Sequence, residues 1–178
     1  MTFYEILINR KSCRKFTTQP IEEEKIETLK KAALLSPTGK RKNHWNFIFV
    51  RDNDLLAQLS DCKPHGSKLI RNAQLAVVVL GSPEISDTWI EDCSIASIIL
   101  QLQAEELGLG SCWVQVHKRE HNENTSAEKH VKDLLQIPEN KEILSVIALG
   151  YPHEKKEANK ESELLFERIH FEKYNSTL

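Results

Sequence analysis

Apolar residues recur along the chain with two different periods, and those periods mark out its elements. In Phe3 to Asn9, Phe3, Ile6 and Leu7 fall on one side of a short helix. From about Glu22 to Leu35, Ile26, Leu29 and Ala33 repeat at helical spacing. Glu22, Glu23 and Glu24 stand where the helix dipole favours negative charge. Ser36-Pro37 stops this helix, because the residue before proline avoids helical backbone. Trp45 to Val50, rich in aromatic and β-branched residues, predicts a strand. Leu55 to Leu59 predicts a short helix, and Leu75 to Leu80, with its Ala-Val-Val-Val run, a buried strand. Ile90 to Leu107 predicts a long helix. Its Ile95, Ala96, Ile98, Ile99, Leu100, Leu102 and Ala104 leave little polar face, which places it centrally or at an interface. Gly108 and Gly110 stop it, and Cys112 to Val116 reads as the next strand. Lys118 to Thr125 reads as a polar loop, Ala127 to Leu135 as a helix, and Ile143 to Leu149 as a strand ending at Gly150-Tyr151-Pro152. His153 to Glu163 is charged and predicted exposed. Leu164 to Tyr174 then regains apolar residues, a surface that must dock somewhere. Helices and strands intermix without internal repeats, which is the pattern of an α+β chain.

Composition narrows the classes. A chain of 178 residues, 40% hydrophobic, suits a single domain over 1–178, or two half-sites completed in a dimer. A net charge of −2 argues against a nucleic-acid binder held by phosphate contacts, yet permits a local basic site for one small phosphate. The first residues show no basic-then-apolar leader. No apolar run approaches the roughly 20 residues that span a bilayer. The expectation is a soluble, cytoplasmic protein without membrane or nucleic-acid partners. Cys13, Cys62, Cys93 and Cys112 form no C-x-x-C pair, and the seven histidines show no ligand spacing. Reduced thiols and no metal site are therefore expected, with Cys93 and Cys112 as small core residues. Gly108-Leu109-Gly110 is a helix stop rather than part of a G-x-G-x-x-G turn, and no P-loop is present.

The most informative segment is Arg10-Lys11-Ser12-Cys13-Arg14-Lys15-Phe16. If it is extended, Arg10, Ser12 and Arg14 face one side, so two guanidinium groups and a hydroxyl share one space. Guanidinium forks bind phosphate oxygens in bidentate fashion. After a short first helix, this Arg-x-Ser-x-Arg-x-Phe resembles the opening signature of the FMN-dependent nitroreductase family. Ser36-Pro37-Thr38-Gly39-Lys40-Arg41-Lys42-Asn43-His44-Trp45-Asn46-Phe47 is similar to that family's Pro-Ser-x-x-Asn-x-Gln-Pro-Trp-x-Phe. Here Thr38 takes the serine position, and Arg41, Asn43 and His44 replace asparagine, glutamine and proline. Asp92 to Val116 resembles the family's central helix and following strand. Gly150-Tyr151-Pro152 with Lys155 and Lys156 resembles a strand end followed by a basic residue. The four matches run in order over nearly the whole chain.

The resemblance implies a three-layer sandwich with a central, mostly antiparallel sheet flanked by helices, and a C-terminal tail extending onto the partner subunit of a homodimer. It implies FMN held by Arg10, Ser12 and Arg14 at its phosphate, ribityl chain and pyrimidine edge. Backbone groups of Val114, Gln115 and Val116 would lie beside its reactive edge, and Lys155 or Lys156 near its phosphate. Thr38, Gly39, Arg41 and Asn43 would reach the site from the other subunit. The flavin carries the chemistry, which accounts for the absence of a recognisable set of catalytic residues. The implied activity is reduction of nitroaromatics, quinones or similar electron-poor compounds by NADH or NADPH in a ping-pong cycle. Two alternatives stay open: an FMN-binding module without turnover, or another flavin reaction such as flavin fragmentation, azoline oxidation or dehalogenation.

Overall fold

The structure, a computed structural model, describes residues 1–154 and 156–174. Its first helix, α1 (Phe3–Asn9), starts in a reciprocal cap: the Thr2 hydroxyl accepts the Glu5 amide at 3.2 Å, and Glu5 accepts the Thr2 amide at 2.6 Å. Next come α2 (Glu23–Leu34), β1 (Asn46–Val50), α3 (Asn53–Leu59) and β2 (Leu75–Gly81). They are followed by α4 (Trp89–Glu106), β3 (Gly110–Gln115), β4 (Glu120–Asn122), β5 (Thr125–Ser126), α5 (Ala127–Leu135) and β6 (Glu142–Gly150). Asp52 caps α3 and Ser126 caps α5, each accepting backbone amides of the first turn.

The main sheet has the order β1-β2-β6-β3, and every neighbour is antiparallel. The two central strands carry the longest apolar runs and are buried almost throughout, as strands covered on both faces must be. On one face Ala76, Val78, Val114, Val146 and Ala148 pack against Leu56 and Leu59 of α3 and Val131 of α5. On the other, Leu75, Val77, Val79, Ile147 and Leu149 pack against Ile26 and Leu29 of α2 and Cys93, Ala96 and Leu100 of α4. The result is helix, sheet and helix in three layers.

Three regions differ from the sequence reading or extend it. The expected polar loop at 118–125 contains a small hairpin, β4 with β5, which turns on an Asn122 side chain accepting the Asn124 amide at 2.9 Å. Its strands are too short and too polar to show alternation. The long helix α4 buries Trp89, Cys93, Ala96, Ser97, Leu100 and Ala104 but leaves Ile90, Ile95 and Ile98 exposed. Beyond β6, the tail forms short 3-10 turns at Glu161–Glu163 and Phe166–Arg168. It is tied to α1 by Tyr4 donating to Glu161 at 2.7 Å and by the Asn159 amide donating to the Ile8 carbonyl at 2.9 Å. Its apolar residues, Leu164 to Tyr174, face outward. No helix among the described residues is long and apolar enough to cross a membrane.

Candidate functional site

The segment 10–16 runs beside the first residues of β3. Ser12 pairs in parallel with Ser111, and the Cys13 amide donates to the Ser111 carbonyl at 2.8 Å. Farther along, Phe16 pairs with Pro152, past the end of β6. Cys13 and Phe16 are buried, while Arg14 and Lys15 are both exposed, so strict alternation ends there. Two glycines let the segment come this close. A Cβ on Gly110 would stand 2.7 Å from the Cys13 Cβ, and one on Gly150 would stand 3.0 Å from the Phe16 ring.

The polar groups of this segment gather around Cys112. Burial pushes the Cys112 thiol up; the charge of Arg14, a bond with Ser12, and the charges of Lys156 and Arg10 act against it. Lys156 also donates to the Ser12 carbonyl at 2.7 Å. Arg10, Ser12, Arg14 and Lys156 are thus brought to one corner; Lys155 lies outside the described residues. Lys63 is a cation the sequence reading did not single out. It is half-buried, burial lowers its pKa, and its ammonium donates to the Gln115 carbonyl at 2.9 Å, close enough to Cys112 to feel that thiol. Lys63 follows α3 in a polar stretch with no motif, so nothing local marks it.

Val114 and Val116 spend their side chains in the core, and the Val116 backbone is engaged too, its amide donating to the Leu144 carbonyl at 3.1 Å and its carbonyl accepting the Arg119 amide at 3.0 Å. The Gln115 side chain is engaged, accepting from the Trp113 indole at 2.9 Å and donating to the His117 carbonyl at 3.1 Å.

Thr38, Gly39, Arg41 and Asn43 lie elsewhere. Their loop leads into β1, at the opposite edge of the sheet from β3, and at the end where Gln115 rather than Ser111 lies. Three strand spacings and the length of β3 separate the two groups by roughly 20 Å. Within the loop the Thr38 hydroxyl accepts the Asn43 amide at 2.9 Å. Lys40, Arg41 and Asn43 hold φ values of 53°, 54° and 45°, a region uncommon for residues with side chains. The Gly39 amide donates to Asp92 at 2.9 Å, and the Asp92 carboxylate also faces His44 Nε2 at 2.8 Å. Burial pushes Asp92 up, but bonds from His44, Gly39 and Thr88 outweigh it and hold the carboxyl below its ordinary value.

A separate polar cluster joins α5 to β6. His117, Glu128 and Glu142 bring ligand-type atoms within 4.8 Å of one another. The buried Lys132 supplies their counter-charge, 3.5 Å from Glu142 and 3.9 Å from Glu128. Burial, with Glu142 alongside, pushes Glu128 up to about 7 against the pull of the Ile143 amide, which it accepts at 2.6 Å.

Residues 2–176 match the family described as "Putative TM nitroreductase". A protein of Archaeoglobus fulgidus named "Putative NADH dehydrogenase/NAD(P)H nitroreductase" is 36% identical over 175 residues, covering 96% of this chain and 97% of that one. The Bacillus subtilis "FMN reductase (NADPH)" is 27% identical over 168 residues, covering 83% of this chain and 65% of that one. Among solved structures, an FMN-dependent nitroreductase of Clostridium difficile superposes with a TM-score of 0.93 at 40% identity, covering 95% of this chain and 98% of that one.

Proposed function

The chain belongs to the nitroreductase family, and from that premise we propose that it binds FMN and uses NAD(P)H to reduce nitroaromatics, quinones or similar electron-poor compounds. The observation that carries this reading is the convergence of Arg10, Ser12, Arg14 and Lys156 around Cys112. Two guanidinium groups, an ammonium and a hydroxyl match a ligand with a phosphate at one end and a carbonyl-rich ring at the other. Arg10, Ser12 and Lys156, with Lys155, would bind the phosphate and ribityl chain. Arg14 and Lys63 would place positive charge at the pyrimidine edge, an electrostatic role. The backbone around Gln115 would orient the ring. Bound FMN supplies the hydride exchange, so that NAD(P)H and the acceptor use one place in turn, a ping-pong cycle.

The separation of the Thr38–Asn43 loop from this corner supports a site shared between two copies, each giving its loop to the other. Exposed apolar residues support the same assembly. Phe3, Tyr4 and Leu7 of α1, Ile90, Ile95 and Ile98 of α4, and the Leu164 to Tyr174 tail offer the surface that an isologous homodimer covers. The tail extends onto the partner in this reading, and the protein works in the cytoplasm.

Visible absorbance of the purified protein, followed by NADH and NADPH consumption with a quinone, is the test. A flavin spectrum and quinone-dependent oxidation of either nucleotide are expected. Protein that is colourless and takes up no added FMN overturns the reading, and protein that is yellow but never oxidises a nucleotide reduces it to flavin binding.

A further inference from the structure

The loop Thr38–Asn43 is pinned from beneath by a buried hydrogen bond between His44 and the Asp92 carboxylate. Asp92 is 4% exposed, and the His44 side chain is 0% exposed. One Asp92 oxygen accepts the Gly39 amide at 2.9 Å. The other faces His44 Nε2 at 2.8 Å and accepts the Thr88 hydroxyl at 3.2 Å. A single carboxylate therefore ties the loop, the residue leading into β1 and the first turn of α4, where the helix dipole also favours its charge.

The hydrogens in this network have fixed directions. The Ser82 amide points at His44 Nδ1 at 3.4 Å, so Nδ1 accepts and Nε2 carries the proton given to Asp92. Ser82 donates to the His44 carbonyl at 3.3 Å and itself accepts from Lys141 at 2.7 Å. Shape adds to the hold. A Cβ on Gly81 would meet His44 Nδ1 at 3.3 Å and the Trp89 ring at 3.0 Å, and one on Gly39 would meet the Thr88 hydroxyl at 2.7 Å. Above this base sit Lys40, Arg41 and Asn43 in left-handed backbone, a conformation that persists only where the surroundings impose it.

We propose that the buried His44–Asp92 pair is the positioning element that holds the Thr38–Asn43 loop in the shape by which it completes the flavin site of a second copy. The proposal rests on the shared-site reading above. Neither residue touches cofactor; both act through the Gly39 amide and the direction the chain takes into β1.

The loop carries its own reporter, because Lys40, Arg41 and Lys42 are three exposed tryptic sites. Three variants separate the roles. Asp92→Asn nearly keeps the shape, but its one oxygen cannot accept from both sides: turned to His44 it sets an amide N–H against the Gly39 N–H, and turned to Gly39 it sets one against the His44 Nε2–H. His44→Met keeps bulk and removes the donor. His44→Gln restores an amide donor at about the position of Nε2. In FMN-free protein, tryptic cleavage at 40–42, located by mass, is expected to quicken about tenfold in Asp92→Asn and His44→Met, matching the loss of one buried hydrogen bond. His44→Gln stays near wild type. FMN titration should follow the same order, about tenfold weaker in the first two variants, with an altered visible circular dichroism of bound flavin. Unchanged cleavage in both Asp92→Asn and His44→Met overturns the proposal, as does quicker cleavage with unaltered FMN affinity and dichroism. If Asp92→Asn does not fold, the His44→Met and His44→Gln pair decides alone. A wild-type protein that binds no FMN overturns the functional reading instead, and is recognised before any variant is made.

Discussion

At the scale of single residues, Arg10 and Ser12 differ in what they can contribute. A charge-assisted bond to phosphate is worth roughly 1.5–3 kcal/mol and a neutral one roughly 0.5–1.5 kcal/mol. Arg10→Ala is therefore expected to weaken FMN binding about 10- to 150-fold, and Ser12→Ala by less, in titrations of the flavin-free variants. An Arg10→Ala protein that binds as tightly as wild type would remove Arg10 from the site. These residues could be read from the sequence because they are neighbours in it. Lys63 could not, since its bond to the Gln115 carbonyl spans 52 positions. The same holds for His44 and Asp92, which are 48 positions apart. His44 stands where the resembled motif has proline; hydrogen bonds there do what a fixed ring would otherwise do for the backbone.

At the scale of elements, the joint between α5 and β6 sets a pH dependence. Glu128 titrates near 7 in the folded chain and near 4.5 when unfolded. Between those values the folded state binds the proton more tightly, so this group makes stability fall as pH rises from about 4.5 to about 7. His117, which burial holds below its ordinary value, contributes the opposite slope, so wild type and variant must be compared. Glu128→Gln is expected to be the more stable protein at pH 8 and to lose its advantage by pH 4, as read by thermal unfolding across that range. Equal melting temperatures at pH 8 would place the Glu128 proton elsewhere. The main helices and strands were foreseeable because each carries a sustained period. Residues 118–125 were not, because a hairpin of polar residues three and two long has no period to display. Strand order was equally hidden: β6 inserts between β2 and β3 through pairings that no local pattern encodes.

At the scale of the molecule, the outward apolar face of α4 and the tail belong to one question. Covered by a second copy, they form an interface of obligate kind, above roughly 2,000 Å² in total. Cutting the chain after Glu163 is then expected to lower both melting temperature and FMN retention, although Arg10, Ser12 and Arg14 remain. Sedimentation equilibrium at low micromolar concentration should give a dimer for the full chain, and a flavin-retaining monomer would refute the shared site.

The placement of Thr38–Asn43 and Arg10–Arg14 at opposite corners of one sheet also has a genetic consequence. A chain crippled at Arg10 and a chain crippled at Asp92 would each form dimers with two damaged sites. When the two are unfolded and refolded together, each mixed dimer gathers both lesions into one site and leaves the other intact. With random pairing, half the dimers are mixed, so about a quarter of all sites should regain wild-type affinity. Recovery of activity from two inactive parents, at that fraction, is a signature that a site built within one chain could not produce.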